Sequence, residues 1–529
     1  ESGGGGGGGG AAVPGGPPPA LFRRLAALPV MTGPREWLTV HAPWTGAALG
    51  QLPRCNASDV VEAVARARAA QPAWAAWPVR KRARVLLNFH KLLFREESAL
   101  LDLIQVESGK ARRHAFEEVM DTAGVARHYA FRAEKYLKPR RRRGALPLLT
   151  VTQELHHPVG VVGCIAPWNF PLILSITDLL PALLAGNAAV LKPDRHASFT
   201  ALRAVELLRE AGLPPDVLQV VTGEGAVLGT PLIENVDFVM FTGSTRTGKI
   251  IAEQAARRLI NYSLELGGKN PLIVLDDVDL DHAVEGALRG SFVGAGQVCV
   301  SIERLYVHEK IFEAFATRFA ERARALKLSA SLDWQGDVGS ITSESQLETI
   351  DAHVQDAVAR GARVLAGGRR RPDVGPLFYE PTVLVGVQPG MRCYAEETFG
   401  PVVSLYHYRT VDEAIERAND TTYGLNAAVW GRDARRAFEV ASRIRAGSVN
   451  INEGYGATWA STDSPIGGFK ESGMGRRHGA EGIRKYTEAQ TISRQRWLPL
   501  SAPGDMPYQR WAGIISRLLK LQVKIPGVR

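Results

Sequence analysis

The stretch Gly294–Val307, GAGQVCVSIERLYV, sets Cys299 behind small and flexible residues, just ahead of a strand-like run. A thiol so placed either fills a buried corner or is a nucleophile that a ligand must reach. A free thiol of pKa about 8.5 is a minor thiolate at pH 7, so covalent chemistry here needs local activation. A candidate base stands in Leu264–Pro271, LELGGKNP, where Glu265 lies between two leucines ahead of two glycines. Apolar surroundings disfavour a charged carboxylate, and its pKa then rises toward the range useful to a general base. An exposed strand-end glutamate is the plainer reading of the same residues. In Ala166–Pro171, APWNFP, the amide of Asn169 has the chemistry to donate to a developing oxyanion. Taken alone, that segment is better explained as a structured turn in which Asn169 caps backbone groups.

Other segments suit a phosphate-bearing ligand. In Phe241–Lys249, FTGSTRTGK, an apolar strand runs into Thr-Gly-Ser and then a helical pattern. A helix opening there would present free N–H groups to an anion. The spacing of Gly243 and Gly248 is neither GxGxxG nor a P-loop, and an ordinary tight turn explains it at least as well. Lys192 ends the strand-like NAAVLK, and Glu397 and Phe399 precede another strand in EETFGPV. Singly, each reads as a surface charge or a core aromatic. The run Ser464–Gly479, SPIGGFKESGMGRRHG, is glycine-dense and charged, as functional loops often are.

In order, PWNFP, LKP, FTGS, LELGGK, GQVC, EETFGP and GGFKESGMGRRHG form a specific set. From about residue 35 to 495 the sequence resembles the aldehyde dehydrogenase superfamily, and most of all its NADP-dependent succinate-semialdehyde dehydrogenase branch. The resemblance implies two open parallel α/β domains, a Rossmann-like cofactor domain and a catalytic domain, plus a β arm for oligomerisation. It implies that Cys299 attacks a small-molecule aldehyde, that Asn169 and the Cys299 N–H hold the oxyanion, and that Glu265 activates the hydrolytic water. No metal is required. It places Lys192 on the adenosine ribose or its phosphate, and Gly243 and Ser244 at the pyrophosphate. Trp168 would line the cofactor cleft, Glu397 would bind the nicotinamide ribose, and Phe399 would pack near the ring. Strictly NAD-using relatives often carry glutamate three residues after the lysine; here Arg195 stands there and suits a 2′-phosphate, so NADP is expected, with NAD the other option.

For the substrate, the resemblance points to succinate semialdehyde. Yet the positions where relatives carry carboxylate-binding arginines correspond here to Thr177 and Val293. Phe170, Ser461 and Thr462 are the remaining substrate candidates, and a medium aliphatic or aromatic aldehyde is the alternative. Ser301 replaces the cysteine that relatives carry two places after the nucleophile, so no disulfide switch is expected. A CoA-acylating relative usually lacks the base that Glu265 would supply. A non-catalytic binding protein would have lost one of the three catalytic positions, and all three are present.

The elements that must position these residues follow from pattern. At about 150 residues per domain, 529 residues make about three units. The net charge of +10 is partly local, in LKPRRRRG (Leu137–Gly144) and the C-terminal tail. The arginine run reads as a solvated loop; no aromatic-rich basic module accompanies it, and no nucleic-acid partner is expected. The four cysteines form no CxxC pair or zinc spacing, and scattered thiols fit a reducing cytoplasm. No apolar signal-peptide core is visible at the start. Leu172–Leu191 reads as a buried helix and strand, not a membrane span.

A helix capped by Ser58 is expected, then two more helices to about Leu137. Short β-branched runs alternating with helices then suggest two parallel α/β domains in series. The expected division is a disordered Gly/Pro tail at 1–19, a cofactor-binding domain at 20–144 and 159–266, and a catalytic domain at 267–486. The arm takes 145–158 and 487–497, and a homodimer or homotetramer is expected through it. The extension 498–529 carries an amphipathic helix at 506–524. Its apolar side, Trp511, Ile514, Ile515, Leu518 and Leu521, is expected to pack on the enzyme or a neighbouring subunit; a weak membrane-surface contact is the other reading.

Overall fold

The computed structural model describes residues 13–144, 149–496 and 500–523. Two α/β units share the chain. The first sheet runs in the order Gly473–Met474, Asn261–Glu265, Phe238–Thr242, Val161–Ile165, Ala188–Lys192, Leu218–Val220. Its last five strands are parallel, and only the two-residue Gly473–Met474 is antiparallel. The second sheet has seven strands: Arg363–Ala366, Thr382–Val385, Val402–Tyr408, Ile302–His308, Asn270–Val274, Asn426–Trp430 and Ser448–Ile451. All its neighbours are parallel except the first edge pair. The apolar runs of the inner strands are almost wholly buried, as strands covered by helices on both faces must be, whereas at the outer edge Val364 is exposed.

Each sheet has its own apolar core. A third, smaller cluster joins Phe170, Ile173 and Leu174 to Val293, Val298, Val300 and Leu425. It bridges segments that flank the two sheets, and Cys299, Tyr455 and Trp459 pack against it.

Several expectations change. The helix predicted to start at Ser58 runs Ala57–Ala75 and is capped by Asn56. The Asn56 side chain accepts from Ser58 and Asp59 N–H while Asp59 accepts from Asn56 N–H, a reciprocal box that a serine inside the first turn does not provide. Three helices follow, Val79–Arg95, Glu97–Ser108 and Arg112–Leu137, where two were expected. Of the tail expected to be disordered, residues 1–12 lie outside the described residues. Val13 packs on the first core, and Pro19 opens the helix Pro19–Leu25, which buries Phe22 and Leu25.

The segment expected to end the catalytic domain returns to the first sheet. Gly473 pairs with Glu265 and Met474 with Leu264, and Ile483 and Tyr486 complete the first core. The arginine run is not a solvated loop. Arg140–Arg143 is the third strand of the arm, beside Thr150–Pro158, which pairs in turn with Thr487–Gln495. Arg142 Nε lies 2.5 Å from Glu154 Oε2 across the strands, and a row of arginines keeps this edge solvated. Residues 145–148 and 497 of the expected arm lie outside the described residues.

The tail helix is Tyr508–Gln522. Trp511 is buried and donates from Nε1 to Leu500 O at 3.0 Å. Ile514, Leu518 and Leu521 remain 38%, 45% and 53% exposed, so their expected packing on the same chain does not occur. No helix among the described residues is long and apolar enough to cross a membrane.

Candidate active site

Cys299 follows a tight turn, Val293–Gly296, whose Gly294, Ala295 and Gly296 all have positive φ. At Gly296 (φ +72°) a Cβ would lie 2.0 Å from Gly400 O, so only glycine fits. The turn delivers Cys299 to the mouth of the strand Ile302–His308. Asn270 Nδ2 clamps the far side, donating to Cys299 O and Ser301 O, each at 2.7 Å. Gly268 passes just beneath: its Cβ would stand 2.7 Å from Cys299 O. The LELGGK turn is therefore packed directly on the Cys299 backbone.

Asn169 is buried, and its Nδ2 donates to Gln297 O at 2.9 Å, two residues from Cys299. One amide hydrogen is thus used for placement and the other is left for a ligand. Among the described residues the Cys299 N–H makes no hydrogen bond to another backbone group. Beneath Asn169, Lys110 Nζ donates to Asn169 O at 2.8 Å and pairs with Glu118 at 2.5 Å. Glu118 Oε2 accepts from Leu172 and Ile173 N–H, fixing the helix Pro171–Ile176 that follows PWNF. Sequence reasoning missed this pair. Its only signal is a lysine and a glutamate on segments whose neighbours are core residues.

Glu265 ends the strand Asn261–Glu265 and is 6% exposed, so it is not an exposed strand-end glutamate. Its Oε1 is buried without a hydrogen-bond partner among the described residues. Burial pushes the carboxyl up to about 7, and Arg477 and Lys485 oppose that rise. Burial also pushes the Cys299 thiol up to about 12, with Arg477 the main opposing charge and Glu265 and Glu397 adding to the rise. At that value Cys299 keeps its proton at neutral pH.

Glu397 and Phe399 come from the second unit and close on the same turn. Glu397 Oε1 accepts from Gly268 N–H at 2.8 Å, and a Cβ on Gly267 would stand 2.5 Å from Oε2. Burial raises the Glu397 carboxyl to about 8. Phe399, at φ +52°, meets Trp168 edge-on at 5.6 Å. The strained loop is held by Glu303, which accepts from Thr398 and Phe399 N–H, and by Gln346 Nε2 donating to Phe399 O. Glu303 pairs with Lys269 at 2.5 Å, both buried. Lys269 and Glu303 were also missed; each looks like an ordinary charge until the fold buries it.

The cleft on the first unit has the donors a dinucleotide needs. Lys192 ends its strand, buried, and no hydrogen bond engages its Nζ among the described residues. Ser244 caps the helix Thr245–Arg257, accepting Thr247 N–H at 3.3 Å, and among the described residues the first N–H groups of that helix stay open. Gly243 forms the preceding turn, its N–H bonded to Glu265 O. A buried lone ammonium and an open helix start fit a ribose and a pyrophosphate. Arg195 is half-exposed and pairs with Glu224 at 2.8 Å. A Cβ on the next residue, Gly225, would stand 3.7 Å from Lys192 Nζ, so Lys192 and Arg195 border the same corner.

On the other side of Cys299 lies a cavity of about 880 Å³. Near the sulfur its wall is Phe170, Ile173, Leu174, Val293, Val298 and Val300. Thr462 borders it, whereas Ser461 is exposed, lies outside the lining, and donates to Ala457 O. Thr177 spends its hydroxyl on Ile173 O, and Val293 is part of the apolar wall. Polar lining that sequence reasoning missed includes Glu117, bonded by Tyr455 OH at 2.9 Å, and Arg289, which has no ion-pair partner among the described residues.

The aldehyde dehydrogenase family model matches residues 30–492. A Mycolicibacterium smegmatis protein provisionally named succinate-semialdehyde dehydrogenase [NADP(+)] is 48% identical over 96% of this chain and 98% of its own. The structure of an NAD-dependent aldehyde dehydrogenase from Sinorhizobium meliloti is 36% identical, with a TM-score of 0.85 over 90% of this chain and 94% of its own. An NADP-dependent enzyme of E. coli is likewise 36% identical, at a TM-score of 0.83 over 87% and 95% of the two chains. With Asn169 bonded two residues from Cys299, with the turn after the buried Glu265 packed on the Cys299 carbonyl, and with sequence and fold matched over nearly the whole length, the chain belongs to the aldehyde dehydrogenase family.

Proposed function

We propose that the chain oxidises succinate semialdehyde to succinate, with water as the oxygen donor and NADP+ as the hydride acceptor. The observation that carries the chemistry is the LELGGK turn, in which Glu265 Oε1 is buried without a hydrogen-bond partner among the described residues and Gly268, three residues on, packs against the Cys299 carbonyl. Glu265 takes the Cys299 proton, and the sulfur adds to the aldehyde carbon. The free amide hydrogen of Asn169 and the Cys299 N–H donate to the resulting oxyanion. The nicotinamide, when bound, supplies the acceptor for the hydride. The thioester left on Cys299 is then hydrolysed by water whose proton passes to Glu265.

Lys192, Ser244 and Glu397 would hold the dinucleotide, and Arg195 would pair with the 2′-phosphate in exchange for Glu224. The NADP(+) in the names of the relatives supports that choice. Replacing Arg195 by glutamate is expected to lower kcat/KM for NADP+ about 10- to 100-fold and to spare NAD+. Steady-state rates at 340 nm with both cofactors check this.

The substrate rests on the names of the relatives and on Arg289, the one cation of the cavity lining without an ion-pair partner among the described residues. The apolar wall beside Cys299 favours a second reading, a medium aliphatic or aromatic aldehyde. Arg289→Ala separates the two. It is expected to raise KM for succinate semialdehyde about tenfold or more, the value of one charge-assisted contact, and to leave hexanal or benzaldehyde unchanged. Wild-type kcat/KM higher for the apolar aldehydes would overturn the first reading.

A homodimer or homotetramer is proposed through the arm, where the outer strand Thr487–Gln495 is largely exposed and Ile492 is half-exposed. The uncovered apolar side of Tyr508–Gln522 supports either an intersubunit contact or a weak membrane-surface contact. Four free thiols support a cytoplasmic setting.

A further inference from the structure

A second charged layer lies under the reacting groups. Arg477 and Asp178 are both buried, with Arg477 Nη2 2.5 Å from Asp178 Oδ2. The same nitrogen donates to Thr242 Oγ1 at 2.9 Å. Thr242 is the register partner of Glu265 on the adjacent strand, so the guanidinium is anchored one strand from the carboxyl. Backbone pairing holds it there: Arg477 and Ile466 exchange both hydrogen bonds, and Gly473 pairs with Glu265. Among the described residues Arg477 Nε is buried without a hydrogen-bond partner, as is Glu265 Oε1. A missing donor and a missing acceptor on neighbouring elements are a costly pair to leave apart unless the reaction uses them. The guanidinium also lies 5.6 Å from the ring of Trp459, which lines the substrate cavity.

We infer that Arg477 is a positioning residue whose fixed guanidinium is the shared counter-charge of the Glu265 carboxylate and the Cys299 thiolate. This rests on the proposed roles of those two groups. In the step it serves, the S–H bond of Cys299 breaks and its electron pair stays on sulfur. The proton goes to the Glu265 carboxylate, so one negative charge moves from oxygen to sulfur and no charge is created. A cation facing both sites favours either end of that transfer over dissipating the charge elsewhere.

The surrounding groups agree. Around Glu265 stand Arg477, Lys485 and Arg476 with Asp178 opposing; around Cys299 stand Arg477 with Glu265 and Glu397 opposing. Lys485 is engaged by Asp178 and Ser263, and burial lowers its pKa, whereas an arginine stays charged at every working pH. Next to Arg477, burial and the Arg477 charge hold His478 down at about 3, so it is neutral, and burial raises Asp121 to about 7.

The test is alkylation of Cys299 by iodoacetamide in the full chain, followed by peptide mass across pH 6 to about 10, a window set by thiol ionisation. Arg477→Gln is expected to move the rate profile to higher pH and to slow alkylation at pH 7 about tenfold or more, one pKa step being tenfold in thiolate. In turnover, kcat at pH 7 should fall in parallel with KM little changed, and Arg477→Lys should recover most of both. A folded Arg477→Gln with the wild-type alkylation profile overturns the inference. So does Arg477→Lys behaving like the glutamine variant, because shape and not charge would then matter. If Arg477→Gln does not fold, the double variant Asp178→Asn/Arg477→Gln removes the cation without stranding its partner, and the same two outcomes apply. Alkylation needs no turnover. A wild-type chain that forms no NADPH yet shows the shift would sink the proposed function and leave this role standing.

Discussion

Replacing Cys299 by serine is expected to lower kcat for aldehyde oxidation on the order of 10⁴-fold or more, with cofactor binding and melting temperature nearly unchanged. Serine keeps the shape of the side chain against Val298 and Val300 and leaves the Asn270 clamp on the residue 299 carbonyl in place. What it loses is a group acidic enough to give up its proton in this site and whose anion is a strong nucleophile. Burial already pushes the thiol up to about 12, and an alcohol is several powers of ten harder to ionise. The same experiment has a direct readout. Wild-type protein quenched during turnover should carry the acyl mass on the Cys299 peptide, and the serine variant should not. A serine variant within tenfold of wild type would remove the nucleophile from this account.

Glu265→Gln is the second large effect, about 10²- to 10⁴-fold in kcat. The amide fills the same volume and cannot accept a proton, so both proton transfers, from the Cys299 thiol and from the hydrolytic water, should slow, and the acyl mass on the Cys299 peptide should form and decay more slowly than in the wild type. With the carboxyl up at about 7, only its ionised form is a base, so wild-type kcat should rise with pH through that value and flatten above it. The variant should lose that ascending limb.

Stability supplies an independent sign. The folded-state pKa lies above the ordinary carboxylate value, so this group's contribution is full at low pH and is lost as pH rises through about 7, when a buried charge must form. Glutamine never ionises. The variant should therefore melt higher than wild type at pH 8 and match it at pH 5, as read by calorimetry at the two pH values.

Much of this site was readable before the fold was known. Cys299 ahead of a strand, Glu265 among leucines and glycines, and Asn169 at a strand's end are local chemistry, and each was a candidate on type and neighbours alone. The alternating apolar runs likewise announced two parallel sheets, because strands covered on both faces need no polar alternation. The tail helix was legible from its period, but its partner was not: only Trp511 finds cover. The arginine run misled for a related reason. Four like charges look like a loop, and only pairing with Thr150–Pro158 makes them an edge strand.

The charged pairs that hold the site were not legible at all. Lys110 with Glu118, Lys269 with Glu303, and Arg477 with Asp178 join residues from 8 to 299 positions apart. In sequence each member is one more charged residue among 118, and nothing local marks it as buried. Sequence by itself determined which groups were able to react, since nucleophilicity and basicity belong to side-chain types and their immediate neighbours. Tertiary structure alone decided which of them meet, what cavity they face and which charges stand beneath them. Burial and through-space electrostatics depend on separation in three dimensions, and chain order does not encode that separation.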